Sequence, residues 1–381
     1  MIRTLFLCLL LAGAGCDHRA PDPGIDVASA LGGEAAAGFA RAAAPRRFRF
    51  PADHNAHPAF RNEWWYLTGH LESDDGERFG YQVTFFRIAL APAAPTLDSA
   101  WATRQLWMAH VALTAIDRGE HMHRERLARG ALGLAGQQAE PFRLWLEDWA
   151  LSGGRGGAFP WRLRVETDAF GFDLTLAPQR PPLLQGDDGL SQKSDAPGNA
   201  SYYYSITRLA TTGSLNRDGE HVSVRGRSWL DREWSTSALG EEQTGWDWFS
   251  LQLGSGDDLM LYRLRRRGGA TDPHSGGTLL DAEGRRQPLA SEDFALTPLR
   301  WWRSPAGARY PVAWRLQLPG AGLDLRVEAL VDAQEMATGV RYWEGAVGVW
   351  AAAGGERLGQ GYLEMTGYGA DAGPDTIAAQ D

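Results

Sequence analysis

Apolar and polar residues alternate with a period of two through several stretches of this chain, and that period belongs to strands. Phe79, Tyr81, Val83 and Phe85 fall on one face of Phe79-Gly80-Tyr81-Gln82-Val83-Thr84-Phe85-Phe86, while Val222 to Gly226 and Leu323 to Val331 alternate likewise. Turn signals such as Asp74-Asp75-Gly76, Asp218-Gly219, Gly256-Asp257-Asp258 and Gly354-Gly355 fall between such runs. Convincing amphipathic helices are almost absent. Many short strands with hairpin turns over 381 residues predict an all-β chain whose antiparallel sheets close into barrels or sandwiches.

The 16 tryptophans point to chemistry as well as fold. They bunch in Glu63-Trp64-Trp65-Tyr66, Trp229-Leu230-Asp231-Arg232-Glu233-Trp234 and Gly245-Trp246-Asp247-Trp248-Phe249, repeatedly beside carboxylates. A core that only holds a fold rarely sets acids against indoles, because a buried unpaired carboxylate costs several kcal/mol or takes up a proton. An aromatic cavity carrying a few acids fits the pattern better. The net charge of −9, with no Lys and Arg cluster among the aromatics, argues against nucleic acid as a partner. Lys193, the single lysine, stands in the polar stretch Gly186 to Asn199, with no apolar setting to lower its pKa for Schiff-base work.

The N-terminus reads as a targeting segment. Arg3 is a short positive region, Leu5 to Ala12 an apolar run too short to span a bilayer, and Gly13-Ala14-Gly15-Cys16 a small-residue processing site. It resembles a bacterial lipoprotein signal, although Gly13 stands where Leu is usual. Cleavage before Cys16 would remove Cys8, make Cys16 the lipidated end and leave no thiol for nucleophilic, metal or redox roles. Asp17 after Cys16 resembles the signal that retains such proteins on the periplasmic face of the inner membrane. Residues 17–45, rich in Ala, Gly and Pro, read as a flexible tether.

The two halves of the chain echo each other. Trp64-Trp65-Tyr66, a turn and Gly80 to Arg87 return as Trp246-Asp247-Trp248-Phe249, a turn and Leu259 to Arg265. Ser228-Trp229-Leu230-Asp231 returns as Gly361-Tyr362-Leu363-Glu364, which places a boundary near residues 235 to 244. Asn62 to Leu71 and Phe79 to Arg87 resemble the opening of the AttH/carotenoid 1,2-hydratase family, and the resemblance continues through several separate motifs. They are Ala109 to Leu113, Tyr202 to Ser205, Trp229 to Trp234, Gly245 to Phe249, Leu259 to Arg263 and Gly361 to Tyr368. The resemblance implies two lipocalin-like antiparallel β-barrels in tandem, with no required cofactor. The expected organisation is a leader over 1–16, the tether over 17–45, domains over 46–238 and 239–372, and a tail over 373–381. Relatives of this kind hydrate isolated double bonds of acyclic carotenoids, catalyse cycloadditions of polyenes, or accompany ABC-transport operons.

The chemistry of the acid and aromatic residues can be read directly. Adding water across an unactivated alkene needs a strong proton donor, a surface that stabilises a carbocation, and a held water. A carboxylic acid against an apolar wall supplies the first, and an indole face the second, worth about 2 kcal/mol when desolvated. Period two puts Trp229, Asp231 and Glu233 on one strand face, opposite Leu230 and Arg232. Asp231 is the first candidate for the acid, Trp229 and Trp234 for the cation-stabilising surface, and Glu63, Asp247 and Glu344 stand second. Tyr66, Tyr203 or Gln252 would orient water, and Trp64, Trp65, Trp246 and His110 complete the candidate ligand wall. Each also admits a structural role. Asp231 and Glu233 would then pair with Arg232, Arg227 or Arg87 at a barrel rim, Trp64 or Trp246 would plug barrel floors, and His110 would be a hydrogen-bonded core histidine.

Other motifs carry less. His54 with His57, and His121 with His123, have chelating spacings but no third ligand in reach, so no metal is expected, and the second pair reads as a solvated loop among Arg118, Arg124 and Arg126. Gly226-Arg227-Ser228-Trp229-Leu230 lacks the second glycine of a nucleophile elbow. Two readings lead. One is an exported, membrane-tethered binder of an apolar lipid, isoprenoid or polyene, accessory to an ABC transporter permease; the other is a cofactor-independent hydratase or cyclase. A purely structural envelope role leaves the aromatic–acid clusters unexplained.

Overall fold

The computed structural model describes residues 37–93, 98–236, 239–240 and 242–369. The leader, Cys16 and the tail lie outside the described residues. The described chain is built almost wholly of antiparallel strands in two sheets, as the period-two pattern requires. The first sheet has 13 strands and runs from Asn62–Ser73 to Glu220–Ser235; the second has 10 and runs from Gln243–Leu253 to Arg357–Thr366. One curls into a nearly closed barrel and the other into a half-barrel. Each sheet wraps its own core. Trp65, Leu67, Phe79, Tyr81, Val83 and Phe85 point into the first, and Phe249, Leu251, Trp314, Trp343, Val347 and Leu363 into the second.

In each half the first strand pairs with the last in the middle of the sheet, which sets the register there. Asn62–Ser73 lies between Arg78–Ala89 and Glu220–Ser235, and Gln243–Leu253 between Asp258–Arg266 and Arg357–Thr366. Outward-facing residues of these strands would ordinarily meet water, yet Tyr66, Thr68 and His70 are buried. The second sheet covers them. His70 Nε2 donates to Gly361 O at 2.8 Å, Trp248 Nε1 to Tyr203 Oη at 3.1 Å, and Gln252 Nε2 to Thr207 O at 2.6 Å. Gly80 permits this approach, because a Cβ there would lie 2.6 Å from Ala346 Cβ and 2.8 Å from Tyr362 Oη.

Part of the expected tether is ordered. Residues 17–36 lie outside the described residues, but 37–45 pack on the first sheet. Ala42 is fully buried, Ala40 N–H donates to Ala59 O at 2.9 Å, and Ala44 O accepts from Tyr202 Oη at 2.9 Å. Small side chains let this backbone lie against a sheet while its polar groups find partners. The expected solvated loop at His121 and His123 is instead strand Glu120–Arg129, where His121 Nδ1 meets Thr114 Oγ1 at 2.9 Å and His123 Nε2 accepts from Ala337 N–H at 3.2 Å. Burial pushes the His121 imidazole down to about 3, so it stays neutral.

Candidate functional site

Where the outward faces of the two sheets meet, they leave a cleft with a cavity of about 90 Å³, several times what one water needs. The pairing registers show how it is built. Tyr66 lies opposite Asp231 and Trp64 opposite Glu233; in the other half Trp248 lies opposite Glu364. Asp231 also neighbours Ser205, as Glu364 neighbours Glu344, and Tyr203 and Tyr342 occupy matching places two residues away. Trp64 thus corresponds to Trp246, Tyr66 to Trp248, Tyr203 to Tyr342 and Asp231 to Glu364, and all eight line the cleft. The echo of Ser228–Asp231 in Gly361–Glu364 is therefore an echo in space. Two equivalent aromatic–acid walls face one another.

Their polar partners differ. Asp231 accepts from Tyr203 Oη and Ser205 Oγ, each at 2.5 Å, and from Trp229 Nε1 at 2.7 Å. Burial still pushes its carboxyl up to about 7, against the pull of those three donors. Glu364 accepts from Trp246 Nε1 at 3.1 Å, and Glu344 accepts from Tyr66 Oη at 2.7 Å through Oε1, while its Oε2 has no partner. Burial drives Glu364 up to about 8, although its side chain is only half-buried at the cleft wall, and drives Glu344 well above the usual carboxylate range. Glu233 is different again. Lys193 Nζ sits 3.2 Å from it and 4.8 Å from the centre of the Tyr262 ring.

Lys193 corrects its expected setting. It is buried in the cleft wall and not solvated. Burial pulls its pKa down, but Glu233 and Tyr262 outweigh that and hold it above its ordinary value. The ammonium stays charged.

Of the sequence candidates, Asp231, Glu233, Trp64, Tyr66, Tyr203, Trp246 and Glu344 line the cleft. Trp229 is buried beneath it and reaches it through Asp231. His110 stands one layer behind, with Nδ1 2.7 Å from Tyr342 Oη and Nε2 2.9 Å from Glu125. Trp65, Trp234, Asp247 and Gln252 do not line it either. Trp65 and Trp234 point into the first core, since period two puts them opposite Tyr66 and Asp231. Asp247 points away from the cleft, toward Arg263 Nε at 2.8 Å, Arg265 and Tyr368 Oη at 2.7 Å. Gln252 is occupied bridging the sheets, at Thr207 O and Ser228 O. Glu63, a second-choice acid, is also structural. Burial alone would raise its carboxyl, but Arg87, His57 and Arg232 hold it well below the usual range.

The candidates missed Glu364, Tyr342, Trp248 and Lys193 as cleft residues. Glu364 carried a signal, because the echo aligned it with Asp231. Trp248 carried one too, two residues from Trp246. Tyr342 carried one as well, two residues from the candidate Glu344 in Tyr342-Trp343-Glu344, whereas Lys193 comes from a loop segment that nothing in the chain ties to the aromatic clusters.

Comparison with known proteins agrees with this architecture. No curated protein sequence matches the chain. Among solved structures, a Nitrosomonas europaea protein described as an AttH is 36% identical with a TM-score of 0.77, covering 87% of this chain and all of its own. Kievitone hydratase from Nectria haematococca shares the fold at 14% identity and TM-score 0.63, over 87% of this chain and 96% of its own. A protein named CghA does so at 13% and 0.51, over 87% and 95%. The AttH-like family profile matches residues 41–368, and this chain belongs to that family.

Proposed function

We propose that the cleft binds an apolar, unsaturated small molecule and transfers a proton to it, as a hydratase or cyclase of the cofactor-independent kind does. One observation carries the reading: Glu344 and Glu364 are pushed up by burial, within a wall of Trp64, Trp246 and Trp248. Protonated carboxyls are the donors alkene chemistry needs, and indole faces lower the energy of the cation that forms. That a fold neighbour is a hydratase supports the reaction class. Farnesol, an acyclic alcohol with trisubstituted double bonds, is a suitable probe. Tryptophan fluorescence is expected to be quenched on binding, and Trp64→Ala or Trp246→Ala to weaken affinity about tenfold, near 1.4 kcal/mol. Absence of quenching by farnesol and by fatty acyl chains would sink the ligand reading.

The carrier reading keeps the same ligand and omits the reaction. The leader favours it, since an exported, anchored protein is suited to hand an apolar molecule to an ABC transporter permease. Quenching without turnover would select it. Anchoring at Cys16 on the periplasmic face of the inner membrane has its own test: Cys16→Ser is expected to move the protein from the membrane to the soluble fraction. Retention of that variant in the membrane would count against the anchor.

A further inference from the structure

The two matching walls of the cleft carry unlike acids. Glu344 and Glu364 stand directly opposite each other on neighbouring antiparallel strands, which places their Cβ atoms about 5 Å apart. Tyr66 Oη and Trp246 Nε1 each give one hydrogen bond to the pair, and Glu344 Oε2 has none. Among the described residues lining the cleft, Lys193 is the single cationic side chain, and it pairs with Glu233. Two carboxylates so placed cannot readily both ionise, because no cationic side chain among the described cleft residues pairs with them. In the other wall, Asp231 is ringed by the three donors Tyr203, Ser205 and Trp229, and an all-donor shell is made for a carboxylate.

We propose that Glu364 and Glu344 share a proton and act as the acid of the cleft, while Asp231, in the matching position of the other half, is the base that takes a proton from water. The assignment rests on the alkene-protonation reading above. Burial raises all three carboxyls, Asp231 to about 7, Glu364 to about 8 and Glu344 well above the usual carboxylate range, and the hydrogen-bond partners distinguish them. In the reaction, the O–H bond of Glu364 breaks and a C–H bond forms at the less substituted alkene carbon, leaving a tertiary cation beside the indoles. Water oxygen then bonds to the cation and gives a proton to Asp231. Alkene and water are consumed, one alcohol forms, and return of the proton from Asp231 to the glutamate pair through solvent restores the protein.

Farnesol incubated with the full chain in D2O separates the roles. The wild type is expected both to incorporate deuterium at an alkene carbon and to form a tertiary alcohol. Glu364→Gln is expected to lower both by at least about 100-fold. Asp231→Asn is expected to lower alcohol formation by a similar factor while deuterium exchange persists, because protonation remains reversible when capture of water fails. Exchange that survives in Glu364→Gln and vanishes in Asp231→Asn would reverse the assignment and overturn it. If the wild type leaves farnesol unchanged, the reaction reading fails, and proton sharing is still decided by infrared spectroscopy at pH 7.5. A protonated-carboxyl band kept by Asp231→Asn and lost in the double variant Glu344→Gln, Glu364→Gln supports the pair; its absence from the wild type overturns it.

Discussion

Replacing Glu63 with alanine is expected to destabilise the first sheet by about 3–5 kcal/mol, because it leaves two buried guanidinium groups uncompensated. Arg87 and Arg232 both pair with Glu63, Arg232 at 3.0 Å, and Arg232 lies 3.7 Å from the centre of the Trp65 ring. The chain therefore holds a cation, a carboxylate and an indole together for structure at one face of Asn62–Ser73. Its other face presents Trp64 and Tyr66 to the cleft. Urea denaturation separates the two faces: Glu63→Ala should shift the midpoint strongly, whereas Trp64→Ala should mainly weaken farnesol binding. A Glu63→Ala protein with wild-type stability and lost binding would move Glu63 into the site.

The second large effect is a loss of stability with rising pH. Glu364 has an ordinary value of 4.5 and is raised to about 8 in the folded chain, so between those limits the folded state holds a proton that the unfolded state releases. Stability then falls as pH rises, because the unfolded state binds fewer protons. Its contribution is complete below pH 4.5 and is lost as pH passes 8, with a magnitude of a few kcal/mol. Glu344 acts with the same sign. Glu63 acts in the other direction and in another window, since a carboxyl held below its ordinary value loses its contribution as pH falls below 4.5. Unfolding measured at pH 5 and pH 9 should show Glu364→Gln more stable than wild type at pH 9, with a shallower decline between the two. Parallel profiles for the two proteins would show that Glu364 is not buried in its protonated form.

The alternation of Phe79, Tyr81, Val83 and Phe85 was enough to place those side chains in a sheet core, because period two leaves a strand only two faces. The same rule applied to Trp229, Asp231 and Glu233 placed Asp231 and Glu233 on the cleft face. Applied consistently it also assigns Trp65 and Trp234 to the core, although clustering along the chain had grouped them with Trp64 and Asp231. Proximity in sequence misled there, since adjacent strand residues point apart. Asp247 and Glu63 misled for another reason. An acid beside an indole also arises where arginines neutralise the carboxylate, as they do at Glu63 and Asp247, and only the partner strands reveal that.

The sequence by itself determined the strand period, the all-β class, the family and the echo between Ser228–Asp231 and Gly361–Glu364, because these depend on residue order along one strand. Tertiary structure decided which face of each strand became a site. The outward faces of the two sheets are ordinary surfaces until they meet, and their meeting removes water from Asp231, Glu344 and Glu364 while setting Lys193 beside Glu233. Desolvation and pairing between strands more than a hundred residues apart, as between Tyr66 and Glu344 at 2.7 Å, are properties of that contact and have no counterpart along the chain.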